Sequence, residues 1–292
     1  MQIRTVFIAG SGLMGGGIAQ VCAQSGYNVI INDLSMEILD KSIKTISWSM
    51  GKLIEKGKVS GKLEDLMGRI KKTTDLKDAA QADLVIEGII ENVDAKRKLF
   101  IELDGLCRPD VIFATNTSAI PITEIAKVTR RSDIFVGMHF TSPVPIQRLV
   151  EIIKGLTTSD RTVEIAEAFC KSLGKETIRV NKDVPGFVLN RINFPSNVEA
   201  IRLVEAGIVS VEDVDKAMRL GFGRPIGPFD TQDCPVLDVS FNALKVVYEE
   251  PRDQKFYPPM LLKRKVSMGQ LGRKTGIGWY KYDKEGNRIG MA

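Results

Sequence analysis

Apolar residues recur along this chain with two different periods, and the change of period divides it. Residues 3–9 (IRTVFIA) form a short β-branched run that ends in glycines. Residues 18–24 read as a helix closed by Ser25-Gly26, and residues 28–32 (NVIIN) as a second strand followed by Asp33. A right-handed crossover makes these two strands parallel neighbours. From Ser35 to about Lys56 the pattern is helical, with Ile38, Ile43, Ile46, Met50 and Leu53 on one face. Strands are predicted again at 84–86, 111–113 and 135–138, separated by helices that include 96–106. A last strand pair is expected at 149–153 and 177–180. Strand alternating with helix predicts a doubly wound, mostly parallel α/β sheet.

After Asp183-Val184-Pro185-Gly186 the texture changes. Residues 187–206, 211–220, 236–248 and 259–268 read as helices, with no strand among them. The expectation is two domains, 1–184 and 185–292, the second all-helical.

The glycines that follow the first strand bring in chemistry. Gly10-Ser11-Gly12-Leu13-Met14-Gly15 is G-x-G-x-x-G, placed after a strand and at the opening of a helix, and it is answered by Asp33. That context turns a weak motif into a Rossmann dinucleotide fingerprint. Gly10 permits the tight turn, Gly12 lets backbone approach a pyrophosphate, and Gly15 lets helix and strand pack closely. The helix N-terminus, with Leu13 and Met14, offers N–H donors to the phosphates. Asp33 is expected to hold the adenine-ribose hydroxyls. Its carboxylate repels a 2′-phosphate, and Leu34-Ser35 supplies no arginine for one, so NAD is expected rather than NADP.

Composition narrows the alternatives. The chain has 292 residues, 43% hydrophobic and 26% charged, as in an ordinary globular protein long enough for two domains. No apolar run approaches a membrane span. The strand pattern begins almost at Met1, leaving no room for a targeting segment, so a cytoplasmic location is expected. A net charge of +5 is too mild to argue for nucleic acid. Cys22, Cys107, Cys170 and Cys234 form no CxxC pair and are read as small buried thiols, with no metal expected.

The chain has one histidine, His139, at the end of the predicted strand 134–138. Strand C-termini of a doubly wound sheet face the ligand crevice, and moving a proton alongside a hydride calls for a group that titrates near neutrality. Glu151 lies inside the apolar run Leu149-Val150-Glu151-Ile152-Ile153. Pro143 and Pro145 force a turn between them, so the chain can return beside His139. A carboxylate there is costly to bury unless partnered, and His139 is the expected partner, oriented by it as in a catalytic triad.

At this point the residues resemble a known family. Gly137-Met138-His139-Phe140, Pro143-Val144-Pro145 and Leu149-Val150-Glu151 look like the active-site stretch of the 3-hydroxyacyl-CoA dehydrogenases. So do Val85-Ile86-Glu87, Glu91-Asn92, Thr115-Asn116-Thr117-Ser118, the segment 183–191, Arg273-Lys274-Thr275-Gly276 and Trp279-Tyr280. The resemblance spans essentially the whole chain. It implies reversible NAD-dependent oxidation of an (S)-3-hydroxyacyl-CoA, as in β-oxidation, with His139 as acid/base and Glu151 as its orienting partner. It further implies that Ser118 and Asn190 bond the reacting oxygen region, and that Glu91, Lys96 and Lys274 line the cofactor site. Ser49 and Lys56 fall where the family contacts CoA, and the resemblance further implies a homodimer through the helical half.

Two departures stand out. The family usually has Phe-Asn-Pro where this chain has Thr141-Ser142-Pro143, and Cys234-Pro235-Val236 interrupts an expected helix. With Ser142 in the substrate site, the first departure implies a branched, cyclic or functionalised short acyl group. The alternatives are a dehydrogenase of a free hydroxy acid, like gulonate and carnitine dehydrogenases, and a non-catalytic structural oligomer in the manner of a crystallin. The paired His139 and Glu151 speak against the last.

Overall fold

The computed structural model describes residues 2–234 and 237–292. The chain divides into two compact units, Met1–Phe187 and Val188–Ala292; the expected boundary was 184/185.

The first unit contains β1 (Thr5–Ala9), α1 (Leu13–Gln24), β2 (Asn28–Asn32), α2 (Met36–Glu55), α3 (Leu63–Met67), β3 (Ile70–Thr73) and β4 (Leu84–Glu87). It continues with α4 (Val93–Leu106), β5 (Ile112–Thr115), α5 (Ile122–Ala126), β6 (Phe135–Phe140), β7 (Leu149–Ile153), α6 (Asp160–Ser172) and β8 (Glu176–Val180). The strands form one eight-stranded sheet in the order β3-β2-β1-β4-β5-β6-β7-β8. β1 pairs in parallel with both β2 and β4, so the strand order reverses there and opens a crevice at the strand C-termini. β6 and β7 run antiparallel, and β8 is parallel to β7. The expected mostly parallel, doubly wound sheet is therefore present. The inner strands VFIA, LVIE, IFAT and FVGMHF are buried throughout because helices cover both faces.

Three details depart from the sequence reading. β3 (IKKT) was not anticipated, because two lysines in four residues mask the strand signal at this sheet edge. On α2 the buried positions are Leu39, Ser42, Ile46 and Met50, whereas Ile38 is exposed. Cys22, Cys107 and Cys170 are buried, but Cys234 is exposed.

The second unit contains α7 (Leu189–Glu205), α8 (Val211–Phe222), α9 (Pro228–Asp233), α10 (Leu237–Glu249), α11 (Met260–Ser267), and the strands β9 (Tyr280–Tyr282) and β10 (Arg288–Met291). The antiparallel β9–β10 pair corrects the expectation of an all-helical domain. Alternating Tyr280, Lys281 and Tyr282 make a strand too short to stand out in the sequence. Two buried aspartates hold it in place. Asp233 accepts from the backbone N–H of Trp279 and Tyr280 and from Tyr282 Oη, while Asp215 accepts from Tyr280 Oη and the N–H groups of Phe229 and Asp230. Burial pushes both carboxyls above their ordinary range, against these donors. The expected helix interruption at Pro235 lies outside the described residues.

Candidate active site

The glycine loop joins β1 to α1. Gly10 has φ +97°, a left-handed value that favours glycine, and a Cβ there would meet the Gly88 carbonyl oxygen at 2.7 Å. A Cβ on Gly15 would come within 1.9 Å of the Gly10 oxygen, so helix and strand approach as closely as the motif requires. Above Gly12 there is open space. Among the described residues no side chain caps α1, and no acidic residue occupies its first turn, so its leading N–H groups and partial positive charge are available to an anion. Leu13, exposed, and Met14, half-buried, complete that turn. These features fit a dinucleotide pyrophosphate.

Asp33 follows β2. Its Oδ2 accepts from Ser11 N and Ser11 Oγ, each at 2.7 Å, and its Oδ1 accepts from Leu34 N at 2.8 Å. The carboxylate is thus clamped to the glycine loop by Ser11, a residue the motif alone leaves unspecified.

His139 and Glu151 face each other across the antiparallel β6–β7 pair. His139 Nδ1 lies 2.6 Å from Glu151 Oε2. The histidine is 8% exposed and the glutamate 0%. An ionised carboxylate only accepts, so Nδ1 carries the proton and Nε2 is the atom left to exchange one. Asn116, just past β5, accepts from Phe140 N at 2.9 Å and fixes the end of the histidine's strand. Phe187 packs its ring 5.8 Å from the imidazole, centroid to centroid. This buried phenylalanine has φ 50°, an uncommon conformation for a bulky residue, held by its packing.

A second buried charge cluster lies at the C-terminal end of β4. Lys96 Nζ sits 2.6 Å from Glu87 Oε1 and 3.2 Å from Glu91 Oε2. Lys96 is 1% exposed, so its ammonium lies beneath the surface between the two carboxylates. Glu87 Oε2 also accepts from Thr115 Oγ1, and Oε1 from Ile89 N. Glu91 Oε1 accepts from Thr117 Oγ1 and Ser118 N. Burial pushes the Glu87 carboxyl up, with Lys96 and the hydrogen bonds opposing. Burial acts the same way on Glu91, but there Lys96, Thr117 and Ser118 outweigh it and hold the carboxyl below its usual range. Ser118 is joined to this cluster through Glu91.

The other expected site residues are more scattered. Ser142, exposed, is in the turn after β6, where Thr141 Oγ1 donates to the Leu149 carbonyl. Ser49 is on α2 and Lys56 is its C-cap residue. Asn190 lies in the first turn of α7 and Lys274 on the exposed turn Arg273–Thr275, both in the second unit. Sequence alone gives Ser11 and Phe187 no site role, and it places Glu87 and Asn116 in motifs without assigning them one. Glu87 had a legible signal, a carboxylate closing an apolar strand; Phe187 had none, since its role depends on where the chain folds back.

An open glycine loop, an acidic residue after β2 and a buried histidine–glutamate pair at a strand C-terminus define an NAD-dependent dehydrogenase. Comparison with known proteins makes the class particular. Residues 5–184 match the family model of the 3-hydroxyacyl-CoA dehydrogenase NAD-binding domain, and residues 186–282 match that of the C-terminal domain. The chain belongs to the 3-hydroxyacyl-CoA dehydrogenase family. It is 46% identical over 275 residues to a probable 3-hydroxybutyryl-CoA dehydrogenase of Deinococcus radiodurans, covering 94% of this chain and 99% of that one. A probable 3-hydroxybutyryl-CoA dehydrogenase of Bacillus subtilis is 40% identical, covering 98% and 99%. The crystal structure of (S)-3-hydroxybutyryl-CoA dehydrogenase from Ralstonia eutropha superposes with a TM-score of 0.91 at 45% identity, covering 97% and 100%. The protein is an NAD-dependent oxidoreductase of 3-hydroxyacyl-CoA thioesters. Among the described residues no helix is long and apolar enough to cross a membrane.

Proposed function

We propose that this enzyme acts on short-chain (S)-3-hydroxyacyl-CoA thioesters, with His139 and Glu151 moving the proton. The observation that carries the reading is the 2.6 Å contact between a histidine and a fully buried carboxylate at the crevice end of the sheet. NAD, held by the glycine loop and Asp33, would supply the hydride acceptor for the hydroxyl-bearing carbon. His139 Nε2 takes the hydroxyl proton as the carbonyl forms, and in the reverse direction returns it. Glu151 holds the ring through Nδ1–H and offsets the positive charge that develops on the imidazolium. Gly10, Gly12, Gly15 and the first turn of α1 hold the pyrophosphate, and Asp33, fixed by Ser11, takes the ribose hydroxyls. Ser118, held by Glu91 above Lys96, presents its hydroxyl near the reacting oxygen. Ser49 and Lys56 on α2 contact the CoA moiety.

The short acyl chain follows the names of the relatives. Ser142, shorter than an asparagine and exposed, leaves space that a branch or a polar substituent can use. The deciding experiment is a panel of linear, branched and long 3-hydroxyacyl-CoA thioesters plus the free hydroxy acids, followed by NADH formation. The reading expects short thioesters to have the highest kcat/KM and Ser142→Asn to move preference towards linear chains. A higher kcat/KM for any free acid than for its thioester would overturn it.

The enzyme is further proposed to be a homodimer. The second unit exposes Ile192, Leu220, Phe222, Val239 and Met260, an apolar content suited to an interface. Sedimentation as a monomer at micromolar concentration would remove this assignment.

A further inference from the structure

α2 carries an anomaly on its solvent face. The helix buries Leu39, Ser42, Ile46 and Met50, and the opposite side should be polar throughout. Trp48 stands in the middle of that side and is 67% exposed. At the 100° spacing of an α-helix, Lys44 and Lys52 lie one turn to either side of it, and Lys41 lies two turns before. Lys56 and Ser49 flank the same stripe. Among the described residues, Lys52 pairs with Glu55, while the ammonium groups of Lys41, Lys44 and Lys56 have no acidic partner. The other acidic residues of this helix are Asp40, which is paired to Lys72, and Glu37 in its first turn. Among the described residues no ring or cation packs against the indole.

We propose that Trp48 is a specificity-determining residue that stacks on the adenine of the substrate's CoA moiety, with the neighbouring lysines holding its phosphates. This rests on the reading that α2 contacts CoA. A flat aromatic face ringed by cations suits a ligand that is both a planar base and a polyanion, which is the chemistry of an adenosine 3′-phosphate 5′-diphosphate. An apolar protein partner would gain nothing from the lysines. The adenine of NAD is excluded by distance. It belongs beside Asp33, and Trp48 lies twelve residues along the helix from Met36, roughly 18 Å. Stacking is independent of the acyl group, so the residue selects for CoA thioesters against smaller thioesters without choosing among chains.

The test compares acetoacetyl-CoA with acetoacetyl-pantetheine, which lacks the nucleotide, in the wild type, Trp48→Ala and Trp48→Phe. Base stacking on an aromatic side chain is expected to show as an about five- to 150-fold rise in KM for acetoacetyl-CoA in Trp48→Ala. Its kcat, its KM for NADH and its KM for the pantetheine thioester should stay at wild-type values. Trp48→Phe should recover most of the loss. The only other tryptophan, Trp279, is 1% exposed, so fluorescence isolates the site. Adenosine 3′,5′-bisphosphate should quench the wild type and leave Trp48→Phe unchanged. If the wild type has equal KM for the two thioesters, the CoA reading of α2 fails. If it discriminates between them, yet Trp48→Ala does so equally well and the bisphosphate quenches nothing, the stacking role alone is overturned.

Discussion

Glu151→Gln is the substitution that isolates what the buried carboxylate does. It keeps the size of the side chain and removes the charge. In the native enzyme Oε2 accepts from His139 Nδ1 at 2.6 Å in a site with almost no access to water. A charge-assisted hydrogen bond of this kind is worth about 1.5–3 kcal/mol. When the imidazolium forms, the same carboxylate faces a full positive charge. If the glutamine turns its carbonyl to Nδ1, the tautomer survives and only this electrostatic gain is lost, a drop of roughly 10- to 150-fold. If it turns its amide, Nδ1 must accept, the ring proton moves to Nε2, and the base is disabled. A wrong tautomer costs about 10⁴ in a serine-protease triad. The expected result is therefore a fall of at least about tenfold, and at most about 10⁴, in the single-turnover rate of NADH formation. The KM for NAD should not change, because the glycine loop does not touch the pair. Single-turnover measurement is needed so that product release cannot mask the effect. A rate within threefold of wild type would refute the assignment of Glu151 as orienting partner.

His139→Gln should bind NAD normally and lose about 10²–10⁴ in kcat, the usual contribution of general acid–base catalysis; a near-normal kcat would remove the histidine from the mechanism. Wild-type enzyme should favour NAD over NADP, and Asp33→Ala should narrow the ratio of their kcat/KM values, because the carboxylate that repels a 2′-phosphate is gone; an unchanged ratio would count against that reason. Lys96→Met leaves Glu87, which is 0% exposed, without a cation and should cost about 3–5 kcal/mol at neutral pH. Burial raises the Glu87 carboxyl above its unfolded value, so the folded state binds the extra proton and the deficit should shrink as pH falls from 8 towards 5. Urea unfolding at several pH values checks this, and a deficit independent of pH would show that Glu87 does not carry it.

Much of the enzyme was legible because its signals are local. The turn Gly10–Gly15 needs glycine for reasons of backbone angle and close approach, and those reasons hold wherever the segment is placed. The run VFIA and the four buried residues of LVIE announce inner strands of a parallel sheet without reference to their neighbours. His139 was conspicuous as the single histidine at a strand end. What escaped depends on distant parts of the chain. The pairing of Glu151 with His139 did not escape, being expected from the apolar run and the proline turn, yet only register realises it, since a one-residue slip in β7 would turn Glu151 to the other face. Glu87 becomes a buried counter-charge only because α4 brings Lys96 across it, and Phe187 reaches the imidazole only because the chain folds back from β8. β3 is a strand because β2 leaves an edge to pair with, which two lysines could not announce. Trp48 carries the same hydrophobic label as any core tryptophan, and only the placement of Leu39, Ile46 and Met50 against the sheet shows that its indole was left in water. Sequence determines conformations and chemistries that are short in range; the environment that makes a carboxylate a partner or an indole a binding surface is a property of packing, set by residues far away along the chain.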